Sequence, residues 1–234
     1  MKIEVWSDFA CPFCYIGKHR LEAALEQFAH RDQVEVVFKS FELDPRAPQT
    51  VEHDVHHMLA AKYGMTRDKA IAMNKNLTDQ AKEVGLTFNM DSMKLTNTFD
   101  AHRLTHYAAE EGKRDDAINE LFRAYFTDSL LLGDHNTLAD LAQKAGLDRT
   151  ATLTMLAGND YAAEVRADEA EAQQLGVTGV PFFVIDRKYA VSGAQPTEVF
   201  LKTLETIWQE TQPLKIIGND GDAGICQDGS CSVN

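Results

Sequence analysis

Ser7-Asp8-Phe9-Ala10-Cys11-Pro12-Phe13-Cys14-Tyr15 joins a short apolar run, Ile3-Glu4-Val5-Trp6, to a helical pattern that starts at Pro12. The setting is strand, turn and helix, with a Cys-x-x-Cys pair at the helix start. The first turn of a helix carries backbone N–H groups with no intrahelical partner, and the macrodipole adds partial positive charge there. A thiolate at Cys11 is stabilised by both, and the thiolate is the nucleophile. Cys14, one turn further in, lies on the same face and within reach of a disulfide with Cys11. Pro12 suits the first turn because its missing N–H has no helical partner to lose.

Outward from this stretch, Val34–Phe38 reads as a second strand, and the helix from Pro12 to Phe28 between the two makes a parallel βαβ unit. Phe41-Glu42-Leu43-Asp44-Pro45-Arg46-Ala47-Pro48 then breaks the pattern with two prolines. From Thr50 to about Tyr161 the apolar period is helical. Val51, Val55, Leu59 and Tyr63 end at Gly64, and Met73, Leu77, Ala81 and Val84 at Gly85. Phe99, Leu104 and Ala108 stop near Gly112, and Ile118 to Phe126 form a fourth stripe. Thr137–Ala145 and Thr150–Leu156 complete the set. A helix from Ala162 to Leu175 follows. Phe182–Ile185 and Tyr189–Val191 read as an antiparallel hairpin, and Pro196–Glu210 as a last helix with Val199, Phe200, Leu204, Ile207 and Trp208 inward. The glycine- and aspartate-rich end carries Cys226 and Cys231 and reads as a mobile tail.

The expected organisation is therefore α/β: a discontinuous unit at 1–46 and 162–212, an all-helical insertion at 47–161, and a flexible tail at 213–234. The chain has 234 residues, 44% of them hydrophobic, enough for one sizeable core with an insertion. A net charge of −13 with no basic stretch argues against nucleic acid and anionic membrane surfaces. No apolar run is long enough to span a bilayer, and the first eight residues lack a secretory pattern, so the expected location is cytoplasmic. Four cysteines in a reducing compartment read as redox-active or metal-binding rather than as static staples.

Cys11-Pro12-Phe13-Cys14 with Gly179-Val180-Pro181-Phe182-Phe183 resembles the thioredoxin superfamily, with βαβ and ββα parts interrupted by helices. Asp8, Tyr15-Ile16-Gly17, Phe41-Glu42-Leu43, Asn97-Thr98, Ala101-His102-Arg103, Gly176-Val177 and Ser192-Gly193-Ala194-Gln195 narrow the resemblance. The chain is similar to DsbA-family oxidoreductases of the FrnE-like branch, over roughly residues 1 to 210. The Cys226/Cys231 spacing resembles a Cys-x4-Cys found in part of that branch.

The resemblance implies thiol–disulfide exchange by Cys11 and Cys14 on disulfide- or thiol-containing proteins, with glutathione or the thioredoxin system as recycling partner and no cofactor. It also implies a cis Pro181, with the Val180 backbone pairing to an extended substrate strand. Cys226 and Cys231 are expected to relay electrons to the Cys11–Cys14 pair. Asp8 has three readings: proton acceptor for Cys14, cap of the first helical turn, or surface carboxylate. His102 reads as a hydrogen-bonded histidine between the two parts of the chain. His53, His56 and His57 invite a metal reading, but the His53/His57 pair lacks a third ligand and reads as a solvated helix face, so no metal site is assigned. Two alternatives stay open. One is a glutathione-dependent isomerase or transferase of the kappa or 2-hydroxychromene-2-carboxylate isomerase type, which tends to carry serine at the Cys11 position and lacks the second cysteine. The other is a module in which all four cysteines close on zinc.

Overall fold

In a computed structural model, residues 1–211 are described, together with the backbone of two short C-terminal strands. Strand β1 (Lys2–Ser7) leads into α1 (Pro12–Gln27) and then β2 (Glu35–Ser40), which pairs parallel to β1 with Val5 opposite Phe38. Seven helices follow before the chain returns to the sheet, the first six being α2 (Val55–Tyr63), α3 (Arg67–Glu83), α4 (Phe99–Glu110), α5 (Arg114–Phe126), α6 (His135–Lys144) and α7 (Arg149–Ala157). Helix α8 (Ala162–Gln174) leads to β3 (Phe182–Ile185) and β4 (Tyr189–Ser192), and α9 (Thr197–Thr211) closes the fold. The sheet order is β2-β1-β3-β4, with β3 antiparallel to both neighbours. This mixed sheet, interrupted by helices, is a thioredoxin-like fold.

The period of two along β1 sets the layers. Ile3 and Val5 turn to one face, where they join Phe183 and Ile185 under Leu21 and Ala24 of α1, Phe28 just after it, and Phe200, Leu204 and Ile207 of α9. Trp6 turns to the other face, against Val184, Ala172 of α8 and Val177, and its indole N–H donates to the Asp168 carbonyl at 2.9 Å. Glu4 shares that face and is buried. Arg187, from the β3–β4 turn, pairs with it and with Glu171, which supplies the partner a buried charge requires.

Caps explain several helix starts that the apolar period misplaces. Asp54 accepts from the His57 N–H and opens α2 at Val55, so Val51 lies before the helix. Thr66, Asp134 and Asp148 cap α3, α6 and α7 in the same way. Gly64 ends α2 in the left-handed conformation at φ 62°. Tyr63, Met73 and Val199, expected to face inward, are exposed. In α9 the core is filled by Phe200, Leu204 and Ile207, and Val199 falls one position off that stripe.

His53 precedes α2 rather than lying on it. His57 is exposed, whereas His56 is buried: Asn74 of α3 contacts its Nδ1 at 3.0 Å, and Asp91 contacts its Nε2 at 2.8 Å. It locks α2 to α3 and to the turn at 90–92. Strands β5 (Ile225–Gln227) and β6 (Ser230–Ser232) pair antiparallel with Cys226 opposite Cys231, where composition suggests only a tail. The expected flexibility of 213–234 and the side chains of these two cysteines lie outside the described residues. Among the described residues, no helix is long and apolar enough to cross a membrane.

Candidate active site

The site forms where β1 ends. The turn is closed by the Cys11 N–H donating to the Asp8 carbonyl at 3.1 Å, and it delivers Cys11 as the N-cap of α1 in extended conformation. Pro12 takes the first helical position, and the first turn carries no acidic residue. The helix N-terminus therefore meets the Cys11 side chain without a competing carboxylate in that turn.

Cys11 and Cys14 are both unbridged and only 4% and 2% exposed. Phe13 between them projects outward at 43%. The Cys11 thiol reaches across to the loop before β3, where its Sγ lies 3.5 Å from the Val180 carbonyl. The Val180–Pro181 peptide bond is cis, as the resemblance implies. The loop is held from three sides. Pro181 accepts from the Gly193 N–H at 2.9 Å, and Arg20 of α1 donates to the Ala194 carbonyl at 2.6 Å. Gly17 lets the proline ring approach α1: a Cβ there would stand 3.1 Å from Pro181 Cγ. Thus Tyr15-Ile16-Gly17, Gly179–Phe183 and Ser192–Gln195, scattered in sequence, converge on one loop.

Cys14 sits deeper. The Asp8 N–H donates to its sulfur at 3.4 Å. Burial and the neighbouring Cys11 sulfur push its thiol well above the ordinary range, while Ser7 and the Asp8 N–H partly favour the thiolate. Cys14 therefore rests as a thiol.

Asp8 is neither a surface carboxylate nor a cap of α1. It is 1% exposed. Its Oδ1 accepts from Thr98 Oγ1 at 2.8 Å and the Ala10 N–H at 3.2 Å, and its Oδ2 accepts from the Leu43 N–H at 2.7 Å. Burial raises the carboxyl pKa, but His102, the Leu43 N–H and Thr98 together outweigh it and hold the group below its usual range. His102 of α4 is buried, with its ring 5.0 Å from that of Phe9 and its Nε2 3.5 Å from Asp8 Oδ1. That is ion-pair reach without hydrogen-bond geometry. His102 Nε2 is the one buried side-chain nitrogen or oxygen among the described residues with no hydrogen-bond partner. His102 of α4 thus faces the turn after β1, as an ion-pair neighbour of Asp8 through Nε2.

Thr98 and Ser7 are site residues that sequence reasoning did not single out. Thr98 stood within the Asn97-Thr98 pair that carried part of the resemblance, so a signal existed. Next to it, Glu42 is buried and accepts from Arg166 at 2.5 Å and Asn97 at 3.3 Å. The aromatic wall behind the cysteines comes from the helices: Phe122 lies 4.9 Å from both Phe9 and Tyr15, and Phe88 stacks beyond Tyr15. The cysteines belong to this helical core, not to the sheet core.

Ser40, His106 and Asp168 meet as well, yet both the Ser40 hydroxyl and the Asp168 carboxylate address His106 Nε2, at 3.1 and 3.2 Å. A triad needs one partner on each ring nitrogen, so this cluster ties β2 to α4 and α8 and is not a hydrolytic site. Among the described residues, no group of three His, Cys, Asp or Glu side chains is arranged to hold a metal ion.

The sequence profile of the DSBA-like thioredoxin domain matches residues 2–205. The structure of a probable DsbA oxidoreductase, SCO1869 from Streptomyces coelicolor, superposes with a TM-score of 0.88 at 48% identity, covering 100% of this chain and 99% of that one. YwbO of Bacillus subtilis, an uncharacterised protein, is 28% identical over 204 residues, or 86% of this chain and 94% of its own length. A 2-hydroxychromene-2-carboxylate isomerase shares the fold at 17% identity with a TM-score of 0.63, covering 90% of this chain and 95% of that one.

Proposed function

The chain belongs to the DSBA-like thioredoxin domain family, and we propose that it is a thiol–disulfide oxidoreductase working through Cys11 and Cys14, in the manner of the FrnE-like branch. The observation that carries this is the placement of the Cys11 sulfur 3.5 Å from the Val180 carbonyl, with Cys14 behind it at the same helix end. Cys11 thiolate attacks a substrate disulfide and forms a mixed disulfide. Cys14 then displaces the substrate thiol and leaves Cys11–Cys14 oxidised; reversal donates a disulfide. Val180 offers its backbone to an extended chain just ahead of Pro181, a mode of recognition tolerant of sequence. Phe13, exposed beside the pair, gives an apolar contact for an unfolded segment.

Disulfide- or thiol-containing proteins are the substrates in this reading, in the cytoplasm, with glutathione or the thioredoxin system restoring the pair. Cys226 and Cys231 are the proposed accessory couple. The isomerase alternative has the same fold, and the presence of Cys14 beside Cys11 weighs against it. The test is a Cys14→Ser variant incubated with disulfide-bearing protein. Accumulation of covalent adducts at Cys11 is expected. Full turnover of a small glutathione-dependent substrate by that variant, with no adducts, would remove the exchange reading.

A further inference from the structure

Beyond the active-site turn, α1 is tied to the loop after β4 by a single side chain. Arg20 of α1 is half-buried, and its Nη1 donates to the Ala194 carbonyl at 2.6 Å. Most arginines of this acidic chain reach a carboxylate instead, as Arg67, Arg103, Arg166 and Arg187 do. Among the described residues Arg20 reaches none, and its bond to Ala194 is the one hydrogen bond between residues 12–27 and 192–195. Helix α1 is held in the fold without it, because Leu21 and Ala24 already pack with Phe200, Leu204 and Ile207 of α9. Such a cation, partly withdrawn from water for one main-chain oxygen, serves the loop it grips.

The tie closes a circuit that begins and ends on α1. Gly193, left-handed at φ 77°, donates its N–H to the Pro181 carbonyl at 2.9 Å. Gln195 stiffens the same loop: its backbone N–H donates to the Gly193 carbonyl at 2.9 Å and its side-chain amide to the Ser192 carbonyl at 2.8 Å. Pro181 faces Gly17, and Val180 before it holds its carbonyl 3.5 Å from the Cys11 sulfur at the N-cap of α1. The attacking sulfur and the edge offered to a substrate strand are thus both referred to one helix, with Arg20 about two and a half turns along it from Cys11.

We infer that Arg20 is a positioning residue that fixes the Val180 edge relative to Cys11, and so makes the protein select disulfides carried by extended polypeptide over small free disulfides. The inference rests on the exchange reading above. An extended chain must pair with Val180 and present its sulfur to Cys11 at the same time, so it gains from a loop that is already ordered. A small disulfide needs Cys11 alone. Arg20 touches neither the substrate nor the sulfurs; it acts through Ala194, Gly193 and Pro181.

The test gives reduced protein two mixed disulfides of the same coloured aromatic thiol, one on the cysteine of an unstructured peptide and one on free cysteine. In both, the Cys11 thiolate bonds to the cysteine sulfur, the S–S bond breaks, and the aromatic thiolate leaves with the electron pair, so colour reports the attack. Arg20→Met keeps the apolar stem and removes the donors. It is expected to raise the half-saturating peptide concentration about tenfold, the lower end of what a hydrogen bond from a charged group is worth. The limiting rate and the free-cysteine reaction are expected to stay within about twofold. Arg20→Lys, whose ammonium still serves one carbonyl, is expected to restore most of the loss. Arg20→Gln, too short to reach Ala194, is not, and it decides the matter if Arg20→Met does not fold. Wild-type protein that releases colour from neither disulfide removes the exchange reading itself. Given release, an unchanged peptide dependence in Arg20→Met overturns the inference, as does wild-type protein that saturates no more readily with the peptide than with free cysteine. Equal slowing of both disulfides, or a lysine variant no better than the methionine one, also overturns it, since a merely structural role strikes both substrates alike.

Discussion

The sheet core and the helical core differ in what they surround. Ile3, Val5, Leu21, Phe183, Phe200 and Leu204 enclose only one another, beneath α1 and α9. Phe9, Tyr15, Phe122, Phe126 and Leu104 enclose Cys11 and Cys14. Both are built from buried apolar side chains of similar chemistry, so both contribute stability by the same burial of apolar surface. Only the second also sets the dielectric around the two thiols. The sheet supplies the frame and the cis-proline loop, while the helices determine how wet and how polar the thiol pair is.

The strongest division falls at the sulfurs themselves. Cys11→Ser is expected to lower disulfide exchange by about 10³-fold or more while leaving the melting temperature nearly unchanged, because the nucleophile is lost and the packing kept. Paired kinetic and thermal measurements check this. Loss of folding instead would make Cys11 a structural member of the helical core.

Truncations on the two sides come next. Phe122→Ala is expected to cost about 3–5 kcal/mol and Leu204→Ala about 2–5 kcal/mol, since each leaves a cavity among fully buried neighbours. The contrast is in the thiols: alkylation of Cys14 should accelerate in Phe122→Ala, which opens the wall behind it, and stay as it was in Leu204→Ala. If both variants, or neither, change the alkylation rate under native conditions, the two cores are not functionally distinct.

Asp8 sits at the seam, linking β1 to Thr98 of the helical segment and to Leu43. Asp8→Asn is expected to cost about 1–3 kcal/mol at neutral pH, because a charged acceptor with three donors is replaced by an amide that pairs with fewer of them. The sign with pH follows from its lowered folded-state pKa: the stabilisation is full above the ordinary value of 3.8 and is lost as pH falls through the lower folded value. Denaturant titrations should therefore show wild type and Asp8→Asn converging in acid. A gap that widens below pH 3.8 would show that His102 and Thr98 do not stabilise the carboxylate.

The smallest effect is expected at Gly17. Alanine there gains about 1 kcal/mol of helix propensity but must displace the Pro181 ring by a few tenths of an ångström. Stability should move by less than about 1 kcal/mol, and KM for an extended peptide disulfide should rise by about threefold as the loop shifts. An unchanged KM would mean that the loop's distance from α1 does not matter to binding.

Much of this was legible in the residues. The Phe182–Ile185 strand was bounded to the residue, because β-branched and aromatic side chains between Pro181 and the Asp186-Arg187 turn leave little choice. The setting of the Cys-x-x-Cys pair was equally plain, since strand, turn and helix surround it within the first 27 residues. Asp8 was not, because its burial depends on Leu43 and Thr98, and no local pattern reports partners that far along the chain. The same holds for the burial of His56, which rests on Asn74 and Asp91 from other elements. Val51 failed for a different reason: four-residue spacing continues past the point where an Asp54 cap stops the hydrogen-bond ladder.

The adjacency of β1 and β3, with Val5 beside Phe183, bears on how the chain is made. A ribosome releases Cys11 and Cys14 early, long before it has made Phe122, and longer still before Val180 and β3. Pairing between such distant segments forms late, because the intervening chain must be ordered first. The nascent chain thus carries its two thiols before the segments that enclose them exist, open to any oxidant or metal in the surroundings. The two thiols are made before the segments that enclose them, and the chemistry of the surroundings acts on them before the fold does.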